Sequence, residues 1–360
     1  MPMTANERVR LAFQHEEADR VPIYGECRNI PFIEAMAGRK LSGSQEEMEA
    51  ITARAYARAG IDLIRRLLTP QWGIEKGDEF DIQWDGYLNW KVGGERRLSP
   101  DEAAETLRRR WLDGPGDPRR AAVAVVDEVR RIQTILGEHT LFMPTGFSLG
   151  IEGMYHTIGI ENFSILMYER PDLIDDVLES AMLRAVARAG VVNEIYDGPL
   201  LHGGDDLGMK GATLVSPAWL REHYFPRMKR IVAAAKSAGK LFSFHTCGNV
   251  TEVLPDLVDT GIDALNPLEV TAGMDLAQVK ADYGDRLVVI GNANANIVQM
   301  GTPDDVRAEV RRCLDDAANG GGYFLCGGRT ASAPVENLIA YFDEARSYQG
   351  WRRVRRPDSS

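Results

Sequence analysis

Short apolar runs alternate along this chain with longer stretches in which apolar residues recur at helical spacing. Most of the runs are continuously apolar, which is typical of strands buried on both faces of a parallel sheet. Between them lie helix candidates such as residues 217–238, which Gly239 would end, and residues 302–318, which Pro303 opens. The eight apolar runs span residues 21–26, 62–68, 141–147, 200–204, 241–247, 264–269, 287–291 and 322–326.

Eight repeats of a strand followed by a helix predict a (β/α)8 barrel, with an open, doubly wound sheet as the alternative. The chain starts with a helical extension over residues 4–17, in which Thr4 and Glu7 have the spacing of a capping box. An aromatic stretch interrupts the rhythm after the second strand and predicts an inserted β-hairpin over residues 78–92. We expect one domain over residues 1–350 and a basic tail over residues 351–360.

Composition and charge exclude several classes of protein. The 360 residues are 44% hydrophobic and 26% charged, which is typical of globular chains and unlike disordered or disulfide-scaffold proteins. A net charge of -11 argues against nucleic acids and anionic membranes as partners. The sequence shows neither a signal peptide nor an apolar run near the ~20 residues that a membrane span needs. We therefore expect a cytoplasmic protein whose four cysteines are buried, catalytic or metal-bound.

The strongest chemical signal is the pair His245 and Cys247 at the end of the fifth predicted strand. Side chains two residues apart on a strand point to the same face, so the imidazole and the thiol are expected to project together. Cys326 ends the eighth predicted strand, which faces the fifth across the mouth of a barrel. A His-Cys-Cys set with an open fourth position is typical of catalytic zinc. The alternative, a buried core role, is the one that we favour for Cys27 and Cys313.

Other candidate residues follow the ends of the predicted strands, where the functional groups of a barrel gather. Asp205, Asp206 and Glu269 are candidate catalytic acids, and each is also a candidate for the fourth zinc ligand. For the two aspartates, capping of the following helix is the alternative. The candidate substrate-binding residues are Tyr24, Glu26, Arg28, Trp84, Tyr155, His156 and Asn292. Trp84, together with Tyr87 and Trp90, would otherwise form the core of the predicted hairpin.

These motifs resemble the uroporphyrinogen decarboxylase superfamily and, within it, the cobalamin-dependent methyltransferases. The resemblance covers nearly the whole chain and rests on His-x-Cys-Gly at residues 245–248, on the Cys326 strand, and on segments 204–208 and 266–269. It implies a (β/α)8 barrel, zinc held by His245, Cys247 and Cys326, and methyl exchange with the cobalt of a corrinoid on a partner protein. Decarboxylases of the superfamily carry Arg-Gln-Ala-Gly-Arg after the first strand. The corresponding segment here, Glu-Cys-Arg-Asn-Ile at residues 26–30, argues against decarboxylation.

The sequence therefore predicts a zinc-dependent methyltransferase that moves a methyl group between a small donor, such as a methyl ether or a methylamine, and corrinoid cobalt. The aromatic residues of the predicted hairpin suit an apolar methyl donor and favour the demethylating direction. Three alternatives stay open: transfer from a methylcobamide to a thiol, metal-free decarboxylation of a porphyrinogen, and a non-catalytic corrinoid-binding module. The donor, the direction and the oligomeric state are not determined by the sequence, and a homodimer is among the states that it allows.

Overall fold

The structure is a computed structural model that describes residues 3–76, 81–86, 90–93, 98–114, 116–327 and 331–353, with only the backbone given at 73–76, 81–85, 90–93 and 353. The strands in these ranges are β1 Ile23–Tyr24, β2 Ile61–Ile64, β3 Gln71–Lys76, β4 Asp81–Gly86, β5 Trp90–Gly93, β6 Leu141–Phe142, β7 Leu200–Gly204, β8 Gly208–Met209, β9 Ala212–Thr213, β10 Leu241–His245, β11 Ala264–Asn266, β12 Val288–Ala293 and β13 Tyr323–Gly327.

The helices of the described ranges lie between the strands of the parallel sheet, singly or in groups of two or three, and at its two ends. They are α1 Ala5–Phe13, α2 Ile30–Ala37, α3 Gln45–Ala59, α4 Pro100–Leu107, α5 Pro118–Leu136, α6 Ile151–Ile158, α7 Ile160–Glu169, α8 Pro171–Ile195, α9 Pro217–Trp219, α10 Phe225–Lys236, α11 Leu254–Asp259, α12 Leu276–Tyr283, α13 Ala295–Met300, α14 Pro303–Ala317 and α15 Val335–Ser347. None of the helices in the described part of the chain is both long and apolar enough to cross a membrane.

The chain divides into two compact units. The first unit comprises Met1–Glu95, Arg130–Met143 and Pro267–Ser360, and the second comprises Arg96–Val129 and Pro144–Asn266. In the first unit the parallel strands lie in the order β6-β2-β1-β13-β12, and in the second unit in the order β11-β10-β7. These eight strands are the eight predicted from the apolar runs, although several of them end earlier than predicted.

Burial on both faces explains why the strands of the first unit read as continuous apolar runs. All four residues of β2 and all six residues of β12 are buried. Outside them, α2 packs against α3 through a cluster of apolar side chains, and Phe32 of α2 stacks on Phe342 of α15 with 5.2 Å between the ring centroids. The helices therefore cover strands whose two faces are both apolar, which is the arrangement that α/β folds require.

The second unit is built around β7, β10 and the long helix α8. The buried residues of α8, among them Leu173, Val177, Ala181 and Ala185, recur at intervals of four and form one apolar face. The helix predicted over residues 217–238 is present as α9 and α10 with a π-helical turn, Leu220–Tyr224, between them. The helix ends at Lys236, two residues earlier than predicted, and Gly239, with a φ of +74°, turns the chain away in a left-handed conformation.

The helix start predicted from the capping box at Thr4 and the one predicted from Pro303 are both confirmed. Thr4 caps α1, and its side chain and that of Glu7 bond reciprocally to backbone N–H groups, which completes a capping box. Thr302 and Asp305 form the same arrangement at the start of α14. Local sequence therefore determines these helix boundaries, because the cap satisfies N–H groups that have no partner within the helix.

Antiparallel strands occupy part of the range in which a hairpin is predicted. The backbones of β3, β4 and β5 form a three-stranded sheet in which Trp84 pairs with Trp90. Tyr87 and the rest of residues 77–80 and 87–89 lie outside the described residues, as do the side chains of Trp84 and Trp90. At the carboxyl end, Gly350–Arg353 forms a 3-10 turn in which Trp351 is buried, and residues 354–360 lie outside the described ranges.

Candidate metal centre

Two neighbouring loops in the second unit carry the candidate metal ligands. β7 and β10 pair in parallel with Gly204 opposite His245, so the loops that follow them start side by side. The hydrogen bonds that join the loops include Asp205 N to His245 O at 3.0 Å, Leu207 N to Thr246 Oγ1 at 3.0 Å, Gly208 N to Cys247 O at 3.1 Å, and Asn249 N to Met209 O at 2.9 Å. The backbone around Cys247 is thus held by the neighbouring loop.

Glycines allow the two loops to approach this closely. A Cβ atom at Gly208 would lie 2.7 Å from Asn249 N and 2.8 Å from Cys247 O, well inside van der Waals contact. Gly248 has a φ of +84°, and a Cβ atom there would overlap the backbone of Gly208. Glycine is therefore required at both positions, because any side chain would push the loops apart and displace Cys247.

Asp206, His245 and Cys247 each offer a ligand atom to a common point, and these atoms lie within 4.8 Å of one another. The Nε2 atom of His245 is 3.5 Å from the Sγ atom of Cys247 and 3.5 Å from the Oδ1 atom of Asp206. A tetrahedral zinc ion with bonds of about 2.3 Å to sulfur and about 2.1 Å to nitrogen places these two ligand atoms about 3.6 Å apart. The three side chains therefore fit zinc in both donor type and spacing.

The structure brings His245 and Cys247 together for a reason other than the predicted one. β10 ends at His245, so Cys247 lies in the loop and the alternation of side chains along a strand does not place it. Its backbone N–H instead donates a hydrogen bond of 2.8 Å to Oδ1 of Asp206. The position of Cys247 thus depends on Asp206, a residue of the neighbouring loop that is itself one of the three candidate metal ligands.

Asp205 and Asp206 are adjacent in sequence but face different surroundings. The buried carboxylate of Asp205 accepts hydrogen bonds from the backbone N–H groups of Leu149, Gly150 and Glu152 and from the hydroxyl of Tyr224. These N–H groups lie at the start of α6, so Asp205 satisfies the amino end of that earlier helix and not, as in the alternative given above, the helix that follows it. Burial raises the pKa of Asp205 to about 7, although its hydrogen bonds favour the ionised form.

α6 carries Tyr155 to the edge of the donor group. The Tyr155 hydroxyl donates a hydrogen bond of 3.4 Å to the backbone oxygen of Asp206. Burial raises the pKa of Tyr155 far above its usual value, and the negative charges of Asp206 and Glu152 add to this effect. Tyr155 therefore remains a hydroxyl donor at any physiological pH. His156, the next residue, is 65% exposed and lies 3.5 Å from Glu152.

Four other predicted site residues lie together in the first unit. β1 and β13 pair with Tyr24 opposite Cys326, and both side chains are buried. Glu26 follows β1 and forms ion pairs with Arg28 at 3.2 Å and with Arg65 at 3.3 Å. Burial raises the pKa of the Cys326 thiol to about 12, an effect that Arg65 opposes and Glu26 increases. Arg65 was not among the predicted site residues, because no motif distinguishes it from the adjacent Arg66.

Two further predicted site residues, Asn292 and Glu269, form hydrogen bonds with neighbouring side chains. The buried side chain of Asn292 accepts a hydrogen bond of 3.2 Å from Arg312 of α14, which in turn pairs with Glu309. Glu269 accepts a hydrogen bond of 2.9 Å from the hydroxyl of Thr271. Among the described residues, Asp206 is thus the acid that joins His245 and Cys247 in a group of three candidate metal ligands. Glu269 and Cys326 do not belong to that group.

The fold and the site place this chain in a known family. Residues 125–348, well over half of the chain, match the sequence pattern of the uroporphyrinogen decarboxylase (URO-D) family, and the chain belongs to this family. A solved structure, a methyltransferase from Methanosarcina mazei, matches 95% of this chain and 98% of its own with a TM-score of 0.64 at 18% identity. The predicted fold class, a (β/α)8 barrel, and the predicted superfamily are both confirmed.

Several curated proteins are similar to this chain over much of its length. Methylcobamide:CoM methyltransferase MtaA of Methanosarcina barkeri is 27% identical over 94% of this chain and 96% of that protein. Methylated-thiol--coenzyme M methyltransferase of Methanosarcina mazei is 23% identical over 82% of this chain and 75% of that protein. A uroporphyrinogen decarboxylase of Ralstonia nicotianae is 26% identical, but over 53% of this chain and 52% of that protein.

Proposed function

We propose that this protein is a zinc-dependent methyltransferase that moves a methyl group between a small molecule and the cobalt of a corrinoid carried by a partner protein. The observation that carries the proposal is the group formed by Asp206, His245 and Cys247, whose ligand atoms have the types and spacing that zinc requires. The similarity of nearly the whole chain to methylcobamide:CoM methyltransferases supports the corrinoid and the methyl group.

The zinc would be held by Nε2 of His245, Sγ of Cys247 and Oδ1 of Asp206. Cys326 stays a predicted sulfur ligand, which the experiment below tests directly. When bound, the zinc supplies Lewis acidity to the heteroatom that carries or receives the methyl group. A thiolate and a carboxylate offset the charge of the divalent ion, so the centre as a whole is close to neutral.

The chain's own residues have distinct roles in this proposal. Tyr155, whose hydroxyl stays protonated beside Asp206, would redirect its hydrogen bond from the backbone oxygen of Asp206 to the substrate heteroatom and so orient that atom. Asp205 positions Tyr155, because its carboxylate holds the first turn of α6 in place. Asp206 positions Cys247 through the bond to its backbone N–H. The site thus places a hydrogen-bond donor beside the ligands on a fixed backbone.

The direction of transfer distinguishes two forms of the proposal. The similarity to methyltransferases whose names contain coenzyme M, a thiol, supports transfer from a methylcobamide to a small thiol. The demethylating direction predicted above depends on the aromatic side chains of Trp84, Tyr87 and Trp90. These side chains lie outside the described residues, so this direction is supported by the sequence alone. We therefore place thiol methylation first and demethylation of a methyl ether or methylamine second.

Metal analysis combined with a cobalamin assay tests this proposal. Zinc content is measured for the wild type and for His245→Ala, Cys247→Ala and Cys326→Ala, with Cys313→Ala as a control for the loss of a buried thiol. The absorbance changes between Co(I) and methylated cobalamin are then followed with thiols, methoxyarenes, methylamines and methanol. We expect about one zinc per chain and methyl transfer in the wild type and the control, and loss of both in the ligand variants.

Two results would contradict the proposal. One is a wild-type protein that binds no zinc but decarboxylates uroporphyrinogen, in line with the decarboxylases that match about half of the chain. The other is a protein that retains cobalamin without methyl transfer to any acceptor, which would indicate a corrinoid-binding module.

A further inference from the structure

The strand next to His245 carries a polar side chain at the same level. β10 and β11 pair in parallel with Asn266 opposite His245, and the backbone N–H of Thr246 donates a hydrogen bond of 2.9 Å to the backbone oxygen of Asn266. Residues opposite each other on adjacent parallel strands project from the same face of the sheet, with strands about 4.8 Å apart. The register therefore places the side chain of Asn266 on the same face of the sheet as the imidazole of His245.

Asn266 is buried, with 2% of its surface exposed, yet its Oδ1 atom accepts no hydrogen bond from the described residues. Buried side-chain acceptors in folded proteins nearly always have a donor, and exceptions tend to have a functional reason. On β10, the residue opposite this amide is His245.

On the β7 side, the residue opposite His245 is a glycine. β7 pairs with β10 with Gly204 opposite His245, and a Cβ atom at Gly204 would lie 2.8 Å from the Cβ atom of His245. A residue larger than glycine would thus collide with the base of the imidazole. Of the two in-register neighbours, only Asn266 can orient the ring.

The chemistry of metal-bound histidine identifies what Asn266 would do. The Nε2 atom of His245 faces Cys247 and Asp206, so it would be the ligand atom, and the proton of the neutral ring would then reside on Nδ1. Metal-binding histidines usually donate this second N–H to a carbonyl or carboxylate oxygen, which fixes the tautomer and the ring orientation. We propose that Asn266 is a positioning residue whose Oδ1 atom accepts the Nδ1–H of His245 in the metal-loaded protein.

This inference rests on the proposed zinc site, and variants of Asn266 test it. Asn266→Leu has a similar size but no acceptor, whereas Asn266→Asp keeps an oxygen at the same position. Ser243→Ala is the matched control. Ser243 lies two residues before His245 on β10, and its buried side-chain oxygen also has no hydrogen-bond partner among the described residues. Zinc affinity is measured by competition with a chromophoric chelator, and the tautomer of His245 by long-range 1H–15N NMR of the zinc-loaded protein.

We expect Asn266→Leu to bind zinc about 10–100-fold more weakly than the wild type. Asn266→Asp should bind zinc at least as tightly as the wild type, and Ser243→Ala should stay within about threefold of it, because Ser243 is not opposite His245. The NMR spectrum of the zinc-loaded wild type should show a proton on Nδ1 and the metal on Nε2. The thermal unfolding of metal-free Asn266→Leu should match that of the wild type, because the oxygen has no donor to lose.

Different results overturn the inference and the proposed function. If the wild type binds zinc and Asn266→Leu binds it equally well, or if Asn266→Asp is as weak as Asn266→Leu, Asn266 does not orient His245. A loss of affinity in Ser243→Ala alone would assign the acceptor to Ser243 instead. If the wild type itself binds no zinc, the proposed function is contradicted and this inference with it.

Discussion

The Oδ1 atom of Asp206 accepts a hydrogen bond of 2.8 Å from the backbone N–H of Cys247 and lies 3.5 Å from Nε2 of His245. One carboxylate thus connects the loop after β7 to both candidate ligands, His245 at the end of β10 and Cys247 in the loop that follows. An acid in this position has two effects that can be separated by mutation: its charge attracts a cation, and its oxygen holds the backbone of Cys247.

Asp206→Asn and Asp206→Ala separate these two effects. The asparagine variant keeps an oxygen that can accept the Cys247 N–H but loses the charge, so we expect weaker zinc binding and unchanged thermal stability without metal. The alanine variant loses both, and we expect an additional loss of about 1 kcal/mol in the free energy of unfolding. Chelator competition and thermal unfolding measure the two quantities. Equal zinc affinity in all three proteins would show that Asp206 is not part of a metal centre.

Gly248→Ala tests the close approach of the two loops. An alanine there would have a positive φ, which costs about 1–2 kcal/mol, and its Cβ atom would also overlap the backbone of Gly208. Gly239→Ala is the matched control, because Gly239 has a similar φ but no atom within 4 Å of the added Cβ. In urea unfolding we expect Gly248→Ala to be clearly less stable than Gly239→Ala, and only Gly248→Ala to lose zinc. Equal stability of the two variants would mean that the loops can separate freely.

The buried carboxyl of Asp205 predicts a pH dependence of stability. Its pKa in the folded protein, about 7, is above the usual value of 3.8 because burial disfavours the charged form. Folding therefore takes up a proton between these values, so the protein loses stability as the pH rises from 3.8 to about 7, and the loss levels off above 7. Asp205→Asn has no such cost. We expect its stability relative to the wild type to increase from pH 5.5 to pH 8.5, by on the order of a few kcal/mol at most.

Thermal unfolding at the two pH values measures this difference. A constant difference between Asp205→Asn and the wild type would show that the hydrogen bonds from Leu149, Gly150 and Glu152 keep Asp205 ionised throughout this range.

The reactivity of the cysteines distinguishes Cys247 from Cys326 and Cys313. Cys247 is partly exposed, whereas burial raises the pKa of each of the other two thiols to about 12. Because the thiolate is the reactive form, iodoacetamide at pH 8 should label Cys247 at least about tenfold faster than either of them in zinc-free protein. Zinc should then protect Cys247. Mass spectrometry of the labelled peptides measures each rate. Labelling of Cys247 that is unaffected by zinc would be inconsistent with the proposed ligand.

The eight barrel strands could be predicted because burial on both faces leaves a continuous apolar run in the sequence. Their ends were less accurate: the run at 241–247 predicts a strand that includes Cys247, whereas β10 ends at His245. A strand ends where its backbone hydrogen bonds turn to other partners, and here the loop after β7 supplies those partners. Such pairing between distant segments leaves no local pattern.

The candidate site could be predicted only in part for the same reason. The spacing of His245 and Cys247 suggested a metal centre. Asp205 and Asp206, however, are adjacent residues of the same type, so the sequence does not tell which of them lies near the metal. Only the fold shows that the first holds the start of α6 and the second faces Cys247. Tyr224, which donates a hydrogen bond of 2.9 Å to Asp205, carries no sequence signal at all, because its role depends on the packing of the helix after β9.

X-ray absorption spectroscopy at the zinc edge tests the central claim most directly. For the zinc-loaded wild type we expect a tetrahedral ligand shell with sulfur at about 2.3 Å and nitrogen or oxygen at about 2.0–2.1 Å. Cys247→Ala should lose a sulfur from this shell, and His245→Ala the multiple-scattering pattern of imidazole. A zinc shell of oxygen atoms alone, or one that neither substitution changes, would contradict the assignment of Asp206, His245 and Cys247 as the metal centre.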